Sequence, residues 1–401
     1  MIRLLFLSAL LVGLSGCGPA KSLAVDVLGY SEASLQEENV RRDVAYLPDG
    51  DGGVKLAVLS AFRRKQKLTG AGLSFSAAAA HAADTVRVSL FSWPGYGFWF
   101  IAQEKNLVPD LDLEITIIED PYESFSLMSA GALDVTSSTA EYGPIAADKE
   151  VPVKLVTYTN PSYGTDKIVL APGVDSAEDL KGESVAVLEG GLTQIFMGIW
   201  LEQNGVSIKD VQFTNLIMDD AVGALVGGNV KAAEFWEPFG SQALEALPGA
   251  TVAASSAEDD WIETALLGDG MYMSDAFLDK PELAAKTMEA YFKAVAFWKE
   301  NPEEGNKIIA KGLNFPVADV EKVIGKDGEI LKGGIWVFDA EQAGKFMGVI
   351  PGELPLGPQN GQMAQHWETT TDWWLKFGLV DERHPMEAGV NLAPLKAITT
   401  D

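Results

Sequence analysis

The sequence predicts an α/β protein: doubly wound sheets with helices on both faces, followed by a mainly helical C-terminal part. Three observations carry this. Short β-branched and apolar runs alternate with segments of helical period from about residue 84 onward, the pattern of parallel sheets covered by helices. Two such series follow one another, separated by the turn-rich Asn160-Pro161-Ser162-Tyr163-Gly164. Beyond about residue 275 the period becomes mostly helical.

The elements follow in order. Val86, Val88 and Leu90 alternate with polar residues, so Thr85 to Ser92 reads as a strand. Gly97 to Asn106 reads as a helix and Leu113 to Ile118 as a β-branched strand. Pro121 to Gly131 is a helix, with Pro at its first turn and Gly at its end. Leu133 to Thr136 is a short strand, with a helix from about Thr139, and Val153 to Thr159 is the next strand. In the second series, Lys167 to Leu170 and Ser184 to Leu188 are strands, and Gly191 to Gln203 is a helix stopped near Asn204-Gly205. Val211 to Thr214, Ala221 to Val226 and Ala232 to Trp236 continue the pattern. Later, Ala284, Met288, Tyr291, Val295 and Trp298 make one apolar helix face, and Asn301-Pro302-Glu303-Glu304 starts another helix.

Composition narrows the function. Asp and Glu number 57 against 30 Lys and Arg, a net charge of −27 over 401 residues. A surface that acidic repels phosphate backbones and argues against nucleic-acid binding. Cys17 is the single cysteine, so no internal disulfide is possible. The three histidines, His81, His366 and His384, have no metal-ligand spacing, so no metal site is expected. No GxSxG elbow occurs.

Residues 1–82 read as export signals and a tether, or as a fused leader. Arg3 precedes an apolar run from Leu4 to Leu14, too short for a permanent membrane span. It ends in Leu14-Ser15-Gly16-Cys17, which resembles a bacterial lipoprotein signal with a lipidated cysteine. A second basic cluster, Arg63-Arg64-Lys65-Gln66-Lys67, precedes a weakly apolar stretch and the cleavage-like Ala80-His81-Ala82. The stretch Asp43 to Pro48 faintly resembles the lead-in of secreted esterases. Either Cys17 is the mature N-terminus or the mature chain begins near Ala83. Both accounts place the remainder outside the cytoplasm, held to a membrane in the first case.

In open α/β sheets, ligands bind beyond the carboxyl ends of strands. Trp93, Pro94, Gly95 and Tyr96 follow the first strand, and Ser137, Ser138 and Thr139 the third. Gly190, Gly191 and Thr193 follow the strand ending at Leu188, and Trp236 and Glu237 end another. Helix starts with Ser, Thr or Gly suit anions, whereas the aromatics and Glu237 suit an amine or a flat heterocycle. The plainer alternatives are an N-cap at Ser137 to Thr139, a tight turn at Gly190-Gly191 and a solvated Glu237.

Residues from about 84 to 310 resemble the solute-binding proteins of ABC importers for nitrate, sulfonates, taurine and thiamine pyrimidine precursors. The likeness lies in Trp93-Pro94-Gly95-Tyr96-Gly97, Ala102 to Asn106, Ser129 to Val135, Ser176 to Gly182 and Val230 to Pro238, in that order. Pro281-Glu282-Leu283 and Asn301-Pro302-Glu303 extend it; residues 1–82 lie outside it, and it fades after about 345. The resemblance implies a type II periplasmic-binding-protein fold. Two lobes, 84–162 plus 270–401 and 163–269, are joined by two crossovers and close on a solute. It implies ligand contacts at the strand-end residues above and at Tyr163. It also implies no cofactor, no catalysis, a monomer, and a permease with its ATPase as partners. The solute expected is a sulfonate, taurine, nitrate or similar anion, with a thiamine pyrimidine or an amine as the alternative. An exported hydrolase and a sensor subunit are the competing functions.

Overall fold

The computed structural model describes residues 83–400, together with two strands before them. Those strands, β1 (Val44–Pro48) and β2 (Val54–Val58), pair antiparallel with Val44 opposite Val58. They belong to a unit separate from the one that begins at His81. The esterase-like stretch therefore coincides with β1. Cys17, the basic cluster at 63–67 and the Ala80-His81-Ala82 site lie outside the described residues.

The second unit holds two sheets. The first is six-stranded: β3 (Asp84–Leu90), β4 (Leu111–Ile117), β5 (Val135–Thr139), β6 (Val153–Tyr163), β12 (Gly268–Ser274) and β13 (Gly334–Ile335), in the order β13-β6-β12-β5-β3-β4. The second is five-stranded: β7 (Lys167–Leu170), β8 (Ser184–Val187), β9 (Gln212–Asn215), β10 (Ala232–Phe235) and β11 (Thr251–Ser255), in the order β11-β7-β10-β8-β9. Val86, Val88 and Leu90 are fully buried, as the alternation in β3 requires.

The sheets are mixed, where the alternation of strands and helices predicts parallel ones. β12 runs antiparallel between β5 and β6, and β7 runs antiparallel between β10 and β11. The reason is topological. Each of these two strands is the first that the chain lays down after crossing from the other sheet, whereas the two-residue edge strand β13 pairs antiparallel with β6 later in the chain. Neither is reached through a crossover helix of its own sheet, so neither is constrained to run parallel.

The helices between strands are α1 (Phe98–Glu104), α2 (Pro121–Ser129), α3 (Tyr142–Asp148), α4 (Leu192–Gln203), α5 (Met218–Val226), α6 (Phe239–Ala246) and α7 (Asp259–Thr264). α2 starts as its sequence dictates: Pro121 is its first residue and Asp120 caps it, accepting a hydrogen bond from the Tyr122 amide at 2.8 Å. After β12 come α8 (Asp275–Leu278), α9 (Pro281–Glu300), α10 (Pro302–Leu313), α11 (Val317–Ile324), α12 (Ala340–Phe346), α13 (Met363–Phe377), α14 (Met386–Gly389) and α15 (Ala393–Thr399). The face read from Ala284 to Trp298 on α9 is wholly buried.

α13 touches both halves. Its Trp374 indole donates to the Glu141 carbonyl at 2.7 Å, next to α3. Within the same last turn Phe377 meets Phe213 of β9 edge-on, and Lys376 pairs with Glu202 of α4 at 2.7 Å.

Candidate functional site

The chain crosses between the sheets through residues 164–166 and returns through residues 256–267. The two crossings are tied together by a knot of short polar side chains. The Ser256 amide donates to the Asp166 carbonyl at 3.0 Å, and the Gly164 amide donates to the Ser256 hydroxyl at 3.0 Å. Ser162 and Thr165 both donate to the Asp166 carboxylate, and Ser162 also meets the Ser256 hydroxyl at 2.6 Å.

Next to this knot lies a narrow cavity of about 20 Å3, with room for little more than a water molecule. From the first sheet it is walled by Phe91, Trp93 and Tyr96 beyond β3, and by Thr139, Asn160 and Asp269 at the ends of β5, β6 and β12. From the second it is walled by Leu192 at the start of α4 and Trp236 beyond β10. Gly268 completes the wall, because a Cβ there would collide with the Tyr158 hydroxyl and meet the Asn160 carbonyl at 2.6 Å. Phe91 and Trp236 stack at 6.2 Å, and Trp93 meets Trp236 edge-on at 6.4 Å, so the aromatic walls of the two sheets touch.

The sequence candidates separate into three groups. Trp93, Tyr96, Thr139 and Trp236 line the cavity. Pro94, Gly95 and Ser137 act behind it. Pro94 and Gly95 form the 3-10 turn that aims Trp93 and Tyr96, and Gly95 must be glycine because a Cβ would strike the Trp93 indole. Ser137 accepts from the Trp99 indole at 2.9 Å inside the core. The residues Ser137 to Thr139 were expected after their strand and lie within β5; they form its last buried turns of pleat, and the helix begins at Tyr142. Ser138 is buried, with no partner for its hydroxyl.

The third group is engaged elsewhere. Tyr163 closes β6, with the Lys332 ammonium 5.3 Å over its ring. The Gly190 amide donates to Gln194 and the Gly191 amide to the Leu188 carbonyl, so neither is an open anion cradle. A Cβ on Gly190 would strike the Tyr122 hydroxyl, and one on Gly191 would lie 2.8 Å from that of Tyr142. The Tyr142 hydroxyl donates to the Glu189 carbonyl at 3.0 Å. The two glycines thus let the halves of the molecule approach each other. Thr193 bonds both backbone groups of Leu188. Glu237 pairs with Lys167 at 2.7 Å and accepts from the Ser241 amide, and its carboxyl is absent from the cavity wall. Burial raises its proton affinity, but the bonds from Lys167 and Ser241 outweigh that and hold it below the usual carboxylate range.

Two acids missed at the level of sequence dominate the cavity. Asp269 is 5% exposed and accepts from the Trp93 indole at 2.8 Å and the Tyr96 hydroxyl at 2.6 Å. Burial pushes its carboxyl up to about 8, against the pull of those two donors. Asp166 is 3% exposed and raised by burial despite the bonds from Ser162 and Thr165. Behind it Glu234 is fully buried without a donor partner, and burial together with Asp166 holds it well above the usual range. Three residues of the cavity wall carry a buried atom with no hydrogen-bond partner: the Asn160 side-chain oxygen Oδ1, the Thr139 hydroxyl and the Trp236 indole nitrogen. No Lys, Arg or His lines the cavity. The signal that marks Asp269 is its place between two glycines in a strand, Gly268-Asp269-Gly270, where backbone approaches closely.

Comparison with known proteins decides the family. The pattern described as NMT1/THI5 like matches residues 93–305, more than half of the chain. The chain belongs to this family. Its fold is the one seen in the family's solved relatives. The alkanesulfonate-binding protein SsuA of Xanthomonas axonopodis pv. citri, bound to MOPS, superimposes with a TM-score of 0.60 at 16% identity, covering 78% of this chain and 99% of its own. SsuA of Escherichia coli gives 0.57 at 18% identity, covering 77% and 92%. The nitrate-binding protein NrtA of Synechocystis gives 0.52 at 14% identity, covering 75% and 91%. In sequence, a binding protein of Brucella abortus is 25% identical over 230 residues, 55% of this chain and 69% of its own length. The aliphatic sulfonates-binding protein of Escherichia coli is 31% identical over 120 residues, 29% of this chain and 37% of its own. As an NMT1/THI5-like protein the chain has a solute-binding role and is not an enzyme. His366 lies against the buried Glu141 at 3.4 Å and His384 against Asp148 at 3.3 Å, both away from the cavity. Among the described residues no cluster of three or more His, Cys, Asp or Glu is arranged to hold a metal, and no helix is long and apolar enough to cross a membrane.

Proposed function

We propose that this chain is the solute-capturing component of an ABC importer, working outside the cytoplasm as a monomer. Two lobes, 84–162 plus 270–401 and 163–269, close on a small solute between them. The closed form is then read by a permease with its ATPase. The observation that carries this reading is the cavity itself: its walls come from the strand ends of both sheets, beside the knotted pair of crossovers. A hinge at the crossovers would open and shut such a site without disturbing either sheet.

The relatives named for sulfonate and nitrate binding make an anion the family-based expectation. The two donors best placed to hold one, Trp93 and Tyr96, are spent on Asp269. The amine alternative fits this wall better, though through acids other than Glu237. Lipidation at Cys17 would hold the protein at the membrane; the intact mass of the exported protein distinguishes a lipidated Cys17 from cleavage after Ala82.

The test is a thermal-shift screen of small anions, cations and neutral solutes, followed by small-angle scattering with any hit. A saturating solute at a hundredfold excess over its Kd stabilises the closed form by about 2.7 kcal/mol. Expected is a raised Tm with a smaller radius of gyration. Turnover of a hit, or no response to any solute class, would overturn the reading.

A further inference from the structure

Resting on that reading, we propose that the solute is a small organic cation with N–H donors, of the ammonium or guanidinium class, held between Asp269, Asp166 and the indoles of Trp93 and Trp236. Four observations on the cavity wall converge. The first is charge. Two carboxyl side chains line it, both more than nine-tenths buried, and no cationic side chain does. The Lys167 ammonium lowers Asp166 through charge from outside the wall, but its hydrogen bonds are spent on Glu237 and the Gly164 carbonyl, and Asp269 has no such neighbour. A buried carboxylate without a countercharge is costly, and a cationic ligand removes that cost while an anion adds to it.

The second observation is hydrogen bonding. The Asn160 side-chain oxygen Oδ1 is buried with no donor, and the Thr139 hydroxyl, on another residue of the same wall, is unpartnered. An acceptor left unmade in a closed site calls for a ligand that donates. The third is the aromatic wall. Indole faces attract cations through their quadrupole and reject anions. The fourth is that Trp93 and Tyr96, the donors a sulfonate would need, already end on Asp269. The protein's own carboxyl stands where a ligand's oxyanion would be held. The Trp236 indole nitrogen remains free to donate to a second, polar end of the solute.

The experiment is calorimetric titration of the full-length chain with ethylammonium and methylguanidinium, with N-methylurea as the neutral match and methanesulfonate and nitrate as anions. Expected is binding of a cation in preference to N-methylurea and both anions. Asp269→Asn should weaken it roughly ten- to a hundredfold, the range of a lost charged hydrogen bond, while changing N-methylurea far less. Asp166→Asn provides the same test if the first variant folds poorly. A further readout needs no variant. At pH 7 cation binding should release about one proton, seen as a dependence of the heat on the buffer's own ionisation enthalpy. Tighter binding of methanesulfonate or nitrate would overturn the cation inference and leave the solute-binding reading standing. Silence from every arm would overturn the cation inference, while the solute-binding reading falls only if the thermal-shift screen is silent as well. Cation binding unchanged in both variants would overturn the inference.

Discussion

Asp269→Asn should stabilise the unliganded protein in alkaline solution while crippling its site. Asp269 is folded into a cavity that raises its carboxyl to about 8, whereas in the unfolded chain it ionises near 4. The folded state therefore holds this proton more tightly. Its contribution to stability is fully present below about pH 4 and is lost as the pH rises to about 8. Each tenfold in proton affinity is worth about 1.4 kcal/mol, so the ceiling is ~5 kcal/mol lost by pH 8. Asparagine keeps an acceptor for the Trp93 indole and carries no proton to lose. Wild type and variant should thus be similar in urea unfolding at pH 5. The variant should pull ahead by at most ~1.4 kcal/mol per pH unit up to pH 8. The groups facing Asp269 are Asp166, Glu141 and Tyr96, with Glu234 behind Asp166. Glu234 and Asp166 are themselves raised, so the variant retains a pH slope of its own and the difference between the two proteins is the quantity to read. Parallel stability curves from pH 5 to pH 8.5 would refute the burial argument for Asp269.

Other outcomes follow from the same contacts. Gly191→Ala places a methyl 2.8 Å from the Tyr142 hydroxyl, so it should leave the unfolding free energy within about 1 kcal/mol of wild type yet weaken solute binding by hindering closure, which scattering would show as a persistently open form. Phe377→Ala removes the edge-on contact with Phe213; since that contact links α13 to the second sheet, solute affinity should fall several-fold with unfolding less affected, as calorimetry and denaturation together would reveal. Glu237→Gln breaks the pair with Lys167 and should cost about 1–3 kcal/mol of stability, weakening cationic and neutral solutes alike. A loss confined to cations would return Glu237 to the ligand.

Much of the fold was legible because it rests on local periodicity. The strand at Val86, Val88 and Leu90 and the α9 face from Ala284 to Trp298 were readable from spacing alone, and both are buried as expected. Strand direction was not readable, since β7 and β12 owe their reversal to which sheet the chain has just left. The site was legible where an aromatic stood in a Pro/Gly loop, as at Trp93 and Tyr96. It was misleading where a residue's appearance has two uses. Gly190 and Gly191 look like a phosphate-type turn, but their missing side chains admit Tyr122 and Tyr142. Glu237 looks like a free acid, yet Lys167, seventy positions earlier in the chain, claims it. Asp269 and Asp166 escaped because nothing in a single strand tells that an acid will be walled in by residues 173 and 103 positions away, such as Tyr96 and Asp269 themselves.

The acids also explain why closure and ligand charge belong together. Trp236 of the second sheet meets Phe91 and Trp93 on the wall that holds Asp269, so parting the two halves should give that carboxyl access to water. Without a countercharge, shutting those walls requires a proton on Asp269, so closure of the empty protein is easiest in acid and grows harder as the pH rises from about 4 to about 8. With a cation between the walls the carboxylate is satisfied, and closure no longer depends on that proton. The empty closed form should therefore be rarer at neutral pH than the liganded one, a bias that would suit the proposed delivery of a loaded protein to a permease. Scattering of the unliganded chain from pH 5 to pH 9 tests this directly: the radius of gyration should grow with pH, and in Asp269→Asn it should grow less, since Asp166 and Glu234 keep a dependence of their own. A wild-type radius independent of pH would separate closure from the charge of Asp269 and refute the coupling.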